Sequence, residues 1–196
     1  FAEYLSHEGF IVVVSDFPGH GTSLYKFEQG YFGKGNALDT LVEDIQRVRH
    51  IITKRYEDLP YFMLGVDLGS LVLLKYAGVY GDYINGMILL GTCMKNSFYY
   101  RMKMIVDFNI LLHGQMNHSR VIKKAIDLFL QRNLNGNYKM TNTKEVNLYM
   151  EDPLTDFVYT NQAYRDILDI IKYTSDERTF KTNSPIFTCI LVIGWI

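Results

Sequence analysis

The segment 64–70 (LGVDLGS) has the residue pattern that best fits catalysis in this sequence. Gly65 and Gly69 lie two residues on either side of Asp67, and glycines at those places let a strand and a following helix approach without Cβ clashes. The pattern favours a sharp strand-to-helix turn with Asp67 at its apex, above the sheet edge where α/β folds bind ligands. The backbone N–H of Leu68 would open the helix and stabilise a developing oxyanion. Taken alone, the spacing fits an ordinary glycine-rich turn equally well.

The histidines and cysteines add no second catalytic group to this segment. His20 lies in a turn beside the predicted site, and we interpret it as structural. The other histidines are expected at solvated positions: His7, His50, His113 and His118. No pair of histidines has the spacing of a metal site, and neither a metal nor an organic cofactor is expected. Cys93 and Cys189 are interpreted as packed thiols of a reducing compartment, which predicts a cytoplasmic location.

Length and composition limit the classes of function. The chain has 196 residues, of which 48% are hydrophobic, so it is long enough for one domain with a sizeable core. Twenty basic and 21 acidic residues give a formal charge of -1, which leaves no electrostatic footprint for nucleic acid. The sequence begins in what resembles the middle of a helix and ends in an apolar run, so we expect a fragment of a longer protein.

Strands and helices alternate along the predicted core. Apolar runs predict strands at about 11–14, 61–64, 87–90 and 185–193. An apolar stripe with steps of three and four predicts a helix over 37–55, and a second helix follows the 61–64 strand. Such alternation is typical of an α/β fold, with a mostly parallel sheet flanked by helices on both faces.

The stretch between the third and fourth predicted strands is far longer than an ordinary crossover. It has helical spacing around 122–130 and 157–171 but no strand signal, which predicts a helical insertion above the sheet. We therefore divide the chain into a partial core (1–94), a helical lid (95–156), and a return helix with a core strand (157–196).

Three motifs in this order resemble those of a known family. They are DFPGHGTS at 16–23, LGVDLGS at 64–70 and GMILLGT at 86–92. Together they resemble the α/β-hydrolase family, in its branch of monoacylglycerol lipases, lysophospholipases and serine aminopeptidase-like proteins. The segment 149–154 with the aromatic run 157–160 is similar to the end of that branch's lid. The resemblance covers Phe1 to about Phe187 and implies hydrolysis of lipid-like carboxylic esters, by serine attack with a histidine base and an orienting acid.

The sequence departs from the family pattern at the position that matters most for this chemistry. Asp67 stands where the family has its nucleophilic serine, and Val66 replaces the usual preceding histidine. The family's acid follows the fourth strand in a G-x-x-D pattern, but only Trp195 and Ile196 follow Gly194. The family's catalytic histidine lies further on. The resemblance therefore implies an ester hydrolase, while the departures predict that this chain is inactive.

Two alternatives remain open at this point. The first is a non-catalytic protein that keeps a pocket for a lipid or peptide. The second is a hydrolase with an aspartate nucleophile, as in haloalkane dehalogenases and epoxide hydrolases. Those enzymes usually have tryptophan after the aspartate, whereas Leu68 follows here.

The predicted lid carries the expected substrate contacts. Phe98, Tyr99 and Met102 belong to an aromatic and methionine-rich segment that would suit an acyl chain. The buried face of a helix would show the same spacing. The expected partners are a small ester or lipid-like substrate and, through the lid, transient contact with a membrane surface.

Overall fold

A computed structural model describes residues 1–24, 28–92, 95, 97–133, 147–148, 151–155, 157–176 and 187–191. The helices are α1 (Ala2–His7), α2 (Ala37–Arg55), α3 (Leu68–Tyr80), α4 (Tyr99–His113), α5 (Arg120–Asn133) and α6 (Asn161–Thr174). A short 3-10 turn spans Gly81–Tyr83. The strands are β1 (Phe62–Val66), β2 (Gly86–Leu90) and β3 (Phe187–Leu191). The order of elements confirms the predicted α/β class.

The three strands form a parallel sheet in the order β1-β2-β3. Phe62 pairs with Gly86 and Gly86 with Phe187, so all three strands start level and end at one carboxyl edge. Met63, Met87 and Leu89 are buried on one face, where they join a core with α2, α3 and α6. Helices therefore cover this face, as predicted.

The opposite face of the sheet has no helix over it among the described residues. Phe62, Leu64 and Val66 of β1 and Ile88 of β2 are exposed there. The prediction of helices on both faces is thus met on one face only in the described chain. Successive residues of a strand point to opposite faces of the sheet, and the five residues of β1 are accordingly exposed and buried in turn.

The helices between β2 and β3 share a second core. Tyr99, Met102 and Val106 of α4 pack against Ile122 of α5 and against α6. Thr160 caps the start of α6, and its hydroxyl accepts a hydrogen bond from the Ala163 amide at 3.2 Å. Helices α5 and α6 confirm the helices predicted around 122–130 and 157–171, although α6 begins only at Asn161. The division of this region into lid and return helix remains a prediction.

The predicted strand at 11–14 is wrong. These residues form no strand, and Ile11, Val13 and Val14 are exposed, Val14 at 78%. A run of β-branched residues becomes a strand only where a neighbouring strand supplies hydrogen-bond partners. None of the described residues pairs with 11–14. The other three predicted strands are present with shifted ends, and residues 185–186 and 192–193 lie outside the described chain.

Candidate functional site

Asp67 is the one residue between the end of β1 and the start of α3. Its backbone angles are φ 48 and ψ -116, a conformation that L residues rarely adopt. The Asp67 amide donates to the Leu90 carbonyl at 3.0 Å, which ties the turn to the end of β2. The predicted sharp strand-to-helix turn is therefore present, and Asp67 lies at its apex over the carboxyl edge of the sheet.

The space for a side chain differs at the two glycines that flank Asp67. A Cβ on Gly65 would lie 2.6 Å from the Gly69 carbonyl oxygen and 2.8 Å from the Ser70 nitrogen, so strand and helix touch backbone to backbone. A Cβ on Gly69 would meet no atom within 4 Å. The close approach predicted for both positions thus requires glycine at Gly65 alone.

The Asp67 carboxyl lies against a third glycine. A Cβ on Gly91, which has φ 66, would be 2.7 Å from the Asp67 Oδ1 atom. Although Asp67 as a whole residue is exposed, partial desolvation of its carboxyl raises its pKa above the ordinary value. Burial is the cause of this shift. The carboxylate therefore lies on the crowded side of the turn.

The start of α3 supplies hydrogen-bond donors beside Asp67. The first amides of a helix have no partner within the helix, and the Asp67 side chain does not cap them. Ser70 donates both its amide, at 3.0 Å, and its hydroxyl, at 2.6 Å, to the Asp67 carbonyl. These bonds fix the turn and leave the Leu68 N–H at the helix start, where an oxyanion donor was predicted.

The DFPGHGTS motif forms a closed turn rather than a catalytic cluster. The Asp16 Oδ2 atom accepts the Thr22 amide at 3.0 Å and its hydroxyl at 3.2 Å. His20 Nε2 lies 2.7 Å from the Tyr159 hydroxyl, and its ring stacks on Phe32. Burial lowers the pKa of His20, which favours the neutral imidazole. The structural interpretation of His20 is therefore confirmed.

No histidine in the described chain contacts the Asp67 carboxyl. His7, His50 and His113 are exposed, as predicted. His118 also lies at the surface, but its Nδ1 is 2.6 Å from the Val158 carbonyl and its Nε2 is 3.1 Å from Glu28. Cys93 lies outside the described residues.

The three predicted substrate contacts lie in the second core. Tyr99 is 1% exposed and Met102 is 3% exposed, both packed against α5 and α6, and Phe98 is half-buried beside them. This is the packing of core residues, and their role in binding stays a prediction.

One polar cavity was not predicted from the sequence. It has a volume of about 400 Å³ and lies between the start of α2, Lys75 of α3 and Asp166 of α6; Asp67 is not among its lining residues. Asp166 is 8% exposed and its Oδ2 atom has no partner in the described chain, and burial raises its pKa to about 6. Spacing predicted an amphipathic helix here, but a buried carboxyl on such a helix leaves no signal of its own.

The described residues offer neither a metal site nor a membrane-spanning helix. The histidines, cysteines and carboxylates of this part of the chain form no group of three or more that could hold a metal ion. Among the described helices, none combines the length and the apolar character that crossing a membrane requires.

Known proteins resemble this chain over most of its length. The family "Serine aminopeptidase, S33" matches residues 1–191. A protein phosphatase methylesterase 1 of Candida albicans is 32% identical over 88 residues, which are 44% of this chain and 22% of that protein. A carboxyl esterase from Bacillus coagulans superposes with a TM-score of 0.67 at 17% identity, and a monoglyceride lipase from Saccharomyces cerevisiae with 0.59 at 15%.

Both superpositions cover 89% of this chain, but only 69% of the esterase and 56% of the lipase. At these identities the two structures establish the fold. This fold is the α/β-hydrolase fold that the three sequence motifs predicted. With the family match over 191 of its residues, the chain belongs to the serine aminopeptidase S33 family of α/β-hydrolases.

Proposed function

We propose that this chain is an ester-hydrolase domain whose nucleophile position is held by Asp67, and that it does not turn over carboxylic esters by the serine route of its family. The observation that carries the proposal is the backbone of Asp67, with φ 48 and ψ -116, at the single residue between β1 and α3. A nucleophile of an α/β-hydrolase stands on such a strained turn, with a helix starting beside it.

The chemistry of the side chain explains the expected inactivity. In the serine route the hydroxyl attacks the ester carbonyl and gives its proton to a histidine, and the resulting acyl-enzyme is later hydrolysed. A carboxylate has no proton to give, and its attack on an ester would form an anhydride, a high-energy acyl intermediate. Its charge also opposes the oxyanion that the Leu68 N–H would stabilise.

The ester class rests on the family and on the names of similar proteins. The methylesterase, the esterase and the monoglyceride lipase all act on carboxylic esters by name. We propose that this chain likewise binds a small, lipid-like ester. We also propose that residues 95–156 form a lid, which makes transient contact with a membrane surface. The two cysteines support a cytoplasmic location.

A fluorophosphonate probe tests the proposal directly, because it labels activated serines in stoichiometric amount. We expect the chain to remain unlabelled and to hydrolyse p-nitrophenyl butyrate at the rate of buffer alone. Asp67→Asn is the matched control, since it keeps the shape of the side chain and removes its charge. Equal behaviour of both proteins supports the proposal, whereas labelling of the unchanged chain overturns it.

Mass spectrometry tests the alternative that Asp67 is itself a nucleophile. An aspartate nucleophile would attack an alkyl carbon, break its bond to a halide or epoxide oxygen, and leave an alkyl ester on Asp67. After incubation with an alkyl halide or an epoxide, the peptide with residue 67 should keep its unmodified mass. An added alkyl group, absent from Asp67→Asn, would show an active enzyme of that type.

A further inference from the structure

The polar cavity between α2, α3 and α6 has a buried floor and an open rim. Leu38, Asp166 and Ile170 line the cavity and are buried, whereas Gly35 and Asp169 line it and are exposed. Its volume of about 400 Å³ lies in the range of small-molecule sites. A small ligand can therefore reach the buried residues from the solvent without a change of fold.

The Asp166 carboxyl has hydrogen-bonding capacity that the described chain leaves unused. Its Oδ1 atom accepts one bond, from Gln162 Nε2 at 2.8 Å. Its Oδ2 atom is buried and has no partner among the described residues. A carboxylate accepts about four hydrogen bonds, and a buried acceptor without a partner is costly. A ligand that carries N–H donors would supply the missing bonds.

The two cations that line the cavity are paired with carboxylates other than Asp166. Lys75 of α3 is paired with Asp39 of α2. On α6, Arg165 Nε lies 3.2 Å from the Asp107 Oδ1 atom of α4. In the described part of the chain, Asp166 is therefore left without an ion-pair partner.

Asp166 is also the carboxylate of the lining whose charge is left over. Asp169, the other one, lies 3.5 Å from Lys103 Nζ of α4. Burial, helped by the charge of Asp169 and opposed by that of Arg165, raises the pKa of Asp166 to about 6. At pH 7.5 the Asp166 carboxyl is still mostly ionised. The cavity then holds a buried negative charge that a cationic ligand would neutralise.

The rest of the lining is partly apolar. Ala37, Leu38, Ile170 and Tyr173 line the cavity together with the charged residues. A metal ion binds through oxygen, nitrogen or sulfur ligands and would gain nothing from these side chains. An inorganic anion would be repelled by Asp166. An organic cation matches both the charge and the apolar part of the wall.

We propose that this cavity binds a small primary organic amine as its ammonium ion, with the ammonium group donating to the Asp166 carboxylate and the alkyl part lying against Leu38 and Ile170. A charge-assisted bond of this kind is stronger than one between neutral groups. Asp67 is not among the lining residues, so this is a second site, and the inference does not rest on the function proposed above.

A titration followed by two-dimensional NMR of the isotopically labelled full chain tests the inference. The probe is n-butylamine, which is charged at pH 7.5, and n-butanol is its neutral control of similar shape. Phosphate buffer is used because Tris is itself a primary amine. We expect saturable shifts of the amides of residues 35–38 and 162–173 in the millimolar range, typical of a ligand with so few atoms. Butanol should bind at least about tenfold more weakly.

The affinity should also depend on pH. Protonation of Asp166 removes the charge that the ammonium ion meets, and with a pKa of about 6 the affinity should fall about tenfold between pH 7.5 and pH 5. The charged groups around Asp166 are Arg165 and Asp169 on its own helix and Lys75 on α3. Butanol carries no charge, so its weak binding should change little over the same range.

Three variants separate the carboxylate from the space. Asp166→Asn should weaken amine binding at least about tenfold, because it removes the charge. Asp44→Asn, at an exposed carboxylate of α2, is its matched control and should leave binding within about twofold. Ala37→Met keeps Asp166 but fills part of the cavity, and it should also weaken binding about tenfold. Far-ultraviolet circular dichroism checks that each variant is folded.

Four results would overturn the inference. They are equal binding of butylamine and butanol, shifts that scatter over the surface without saturating, unchanged binding by a folded Asp166→Asn, and no shift with either probe. The last would mean that water alone occupies the cavity. Asp67→Asn should bind butylamine as the unchanged protein does, so either proposal can fail while the other stands.

Discussion

Replacement of Asp166 by asparagine should change how the stability of the protein depends on pH. Asp166 is buried on α6, and burial raises its pKa from the ordinary value of 3.8 to about 6. The folded protein therefore holds this proton more tightly than the unfolded chain. Its contribution to the free energy of unfolding is fully present below about pH 3.8 and is lost as the pH rises through about 6.

The size of the effect follows from the two pKa values. One pKa unit corresponds to about 1.4 kcal/mol, so the whole window is worth roughly 3 kcal/mol. Between pH 4.5 and pH 7.5 the carboxyl should lose about 2 kcal/mol of this. Asparagine keeps the bond from Gln162, which donates to the Oδ1 atom at 2.8 Å, and has no charge to bury. Its amide group would itself be unpartnered at the Oδ2 position, at a cost of about 1–3 kcal/mol that does not vary with pH.

The measurement therefore compares how the free energy of unfolding changes with pH in the variant and in the unchanged protein. Urea unfolding followed by circular dichroism gives the free energy of unfolding of both proteins at several values between pH 4.5 and pH 7.5. The free energy of Asp166→Asn minus that of the unchanged protein should rise by about 2 kcal/mol over this range. A constant difference for Asp166→Asn would refute the burial of an ionisable carboxyl at this place.

The turn around Asp67 gives three further predictions, each measured as a change in the free energy of unfolding in urea. Gly65→Ala should destabilise the protein by about 3 kcal/mol, because its Cβ would meet backbone atoms, whereas Gly69→Ala should be neutral or stabilise it by up to about 1 kcal/mol. Equal effects would contradict the close approach at Gly65. Asp67→Gly should stabilise the protein by about 1 kcal/mol, since glycine adopts φ 48 and ψ -116 without strain; a loss of stability would mean that the carboxyl makes favourable contacts. Gly91→Ala should cost at least about 1 kcal/mol more in the unchanged protein than in Asp67→Gly, because its Cβ would lie 2.7 Å from the Asp67 Oδ1 atom; additive effects would argue against that contact.

Local patterns predicted the parts of the fold that local contacts determine. The apolar stripe predicted the range of α2 to the residue, because apolar positions that repeat over five turns fit only a helix with one buried side. Gly65 predicted the turn because a backbone contact there excludes every side chain. In both cases the residues that carry the pattern are close in sequence to the residues that they contact.

The parts that were missed depend on partners far along the chain. The run 11–14 has the composition of a strand, but a strand needs a neighbour, and composition does not reveal one. The spacing around Tyr99 and Met102 fitted both a substrate contact and a buried helix face; both residues pack in a core with distant helices, and their role in binding stays a prediction. The burial of Asp166 depends on α2 and α3, more than 80 residues earlier in the chain.

The backbone conformation of residue 67 favours glycine, yet the residue carries a side chain. A turn that only connected β1 to α3 would be more stable with glycine at this residue, because φ 48 and ψ -116 cost an L residue about 1–3 kcal/mol. The bonds of Ser70 to the Asp67 carbonyl and of the Asp67 amide to Leu90 fix that backbone whatever the side chain is. The scaffold therefore holds a side chain over the sheet edge at a cost in stability, as an α/β-hydrolase does for its nucleophile. We propose that Asp67 occupies that place. A carboxylate has no hydroxyl for the family's reaction, and this mismatch is the physical basis for expecting the fold without the turnover.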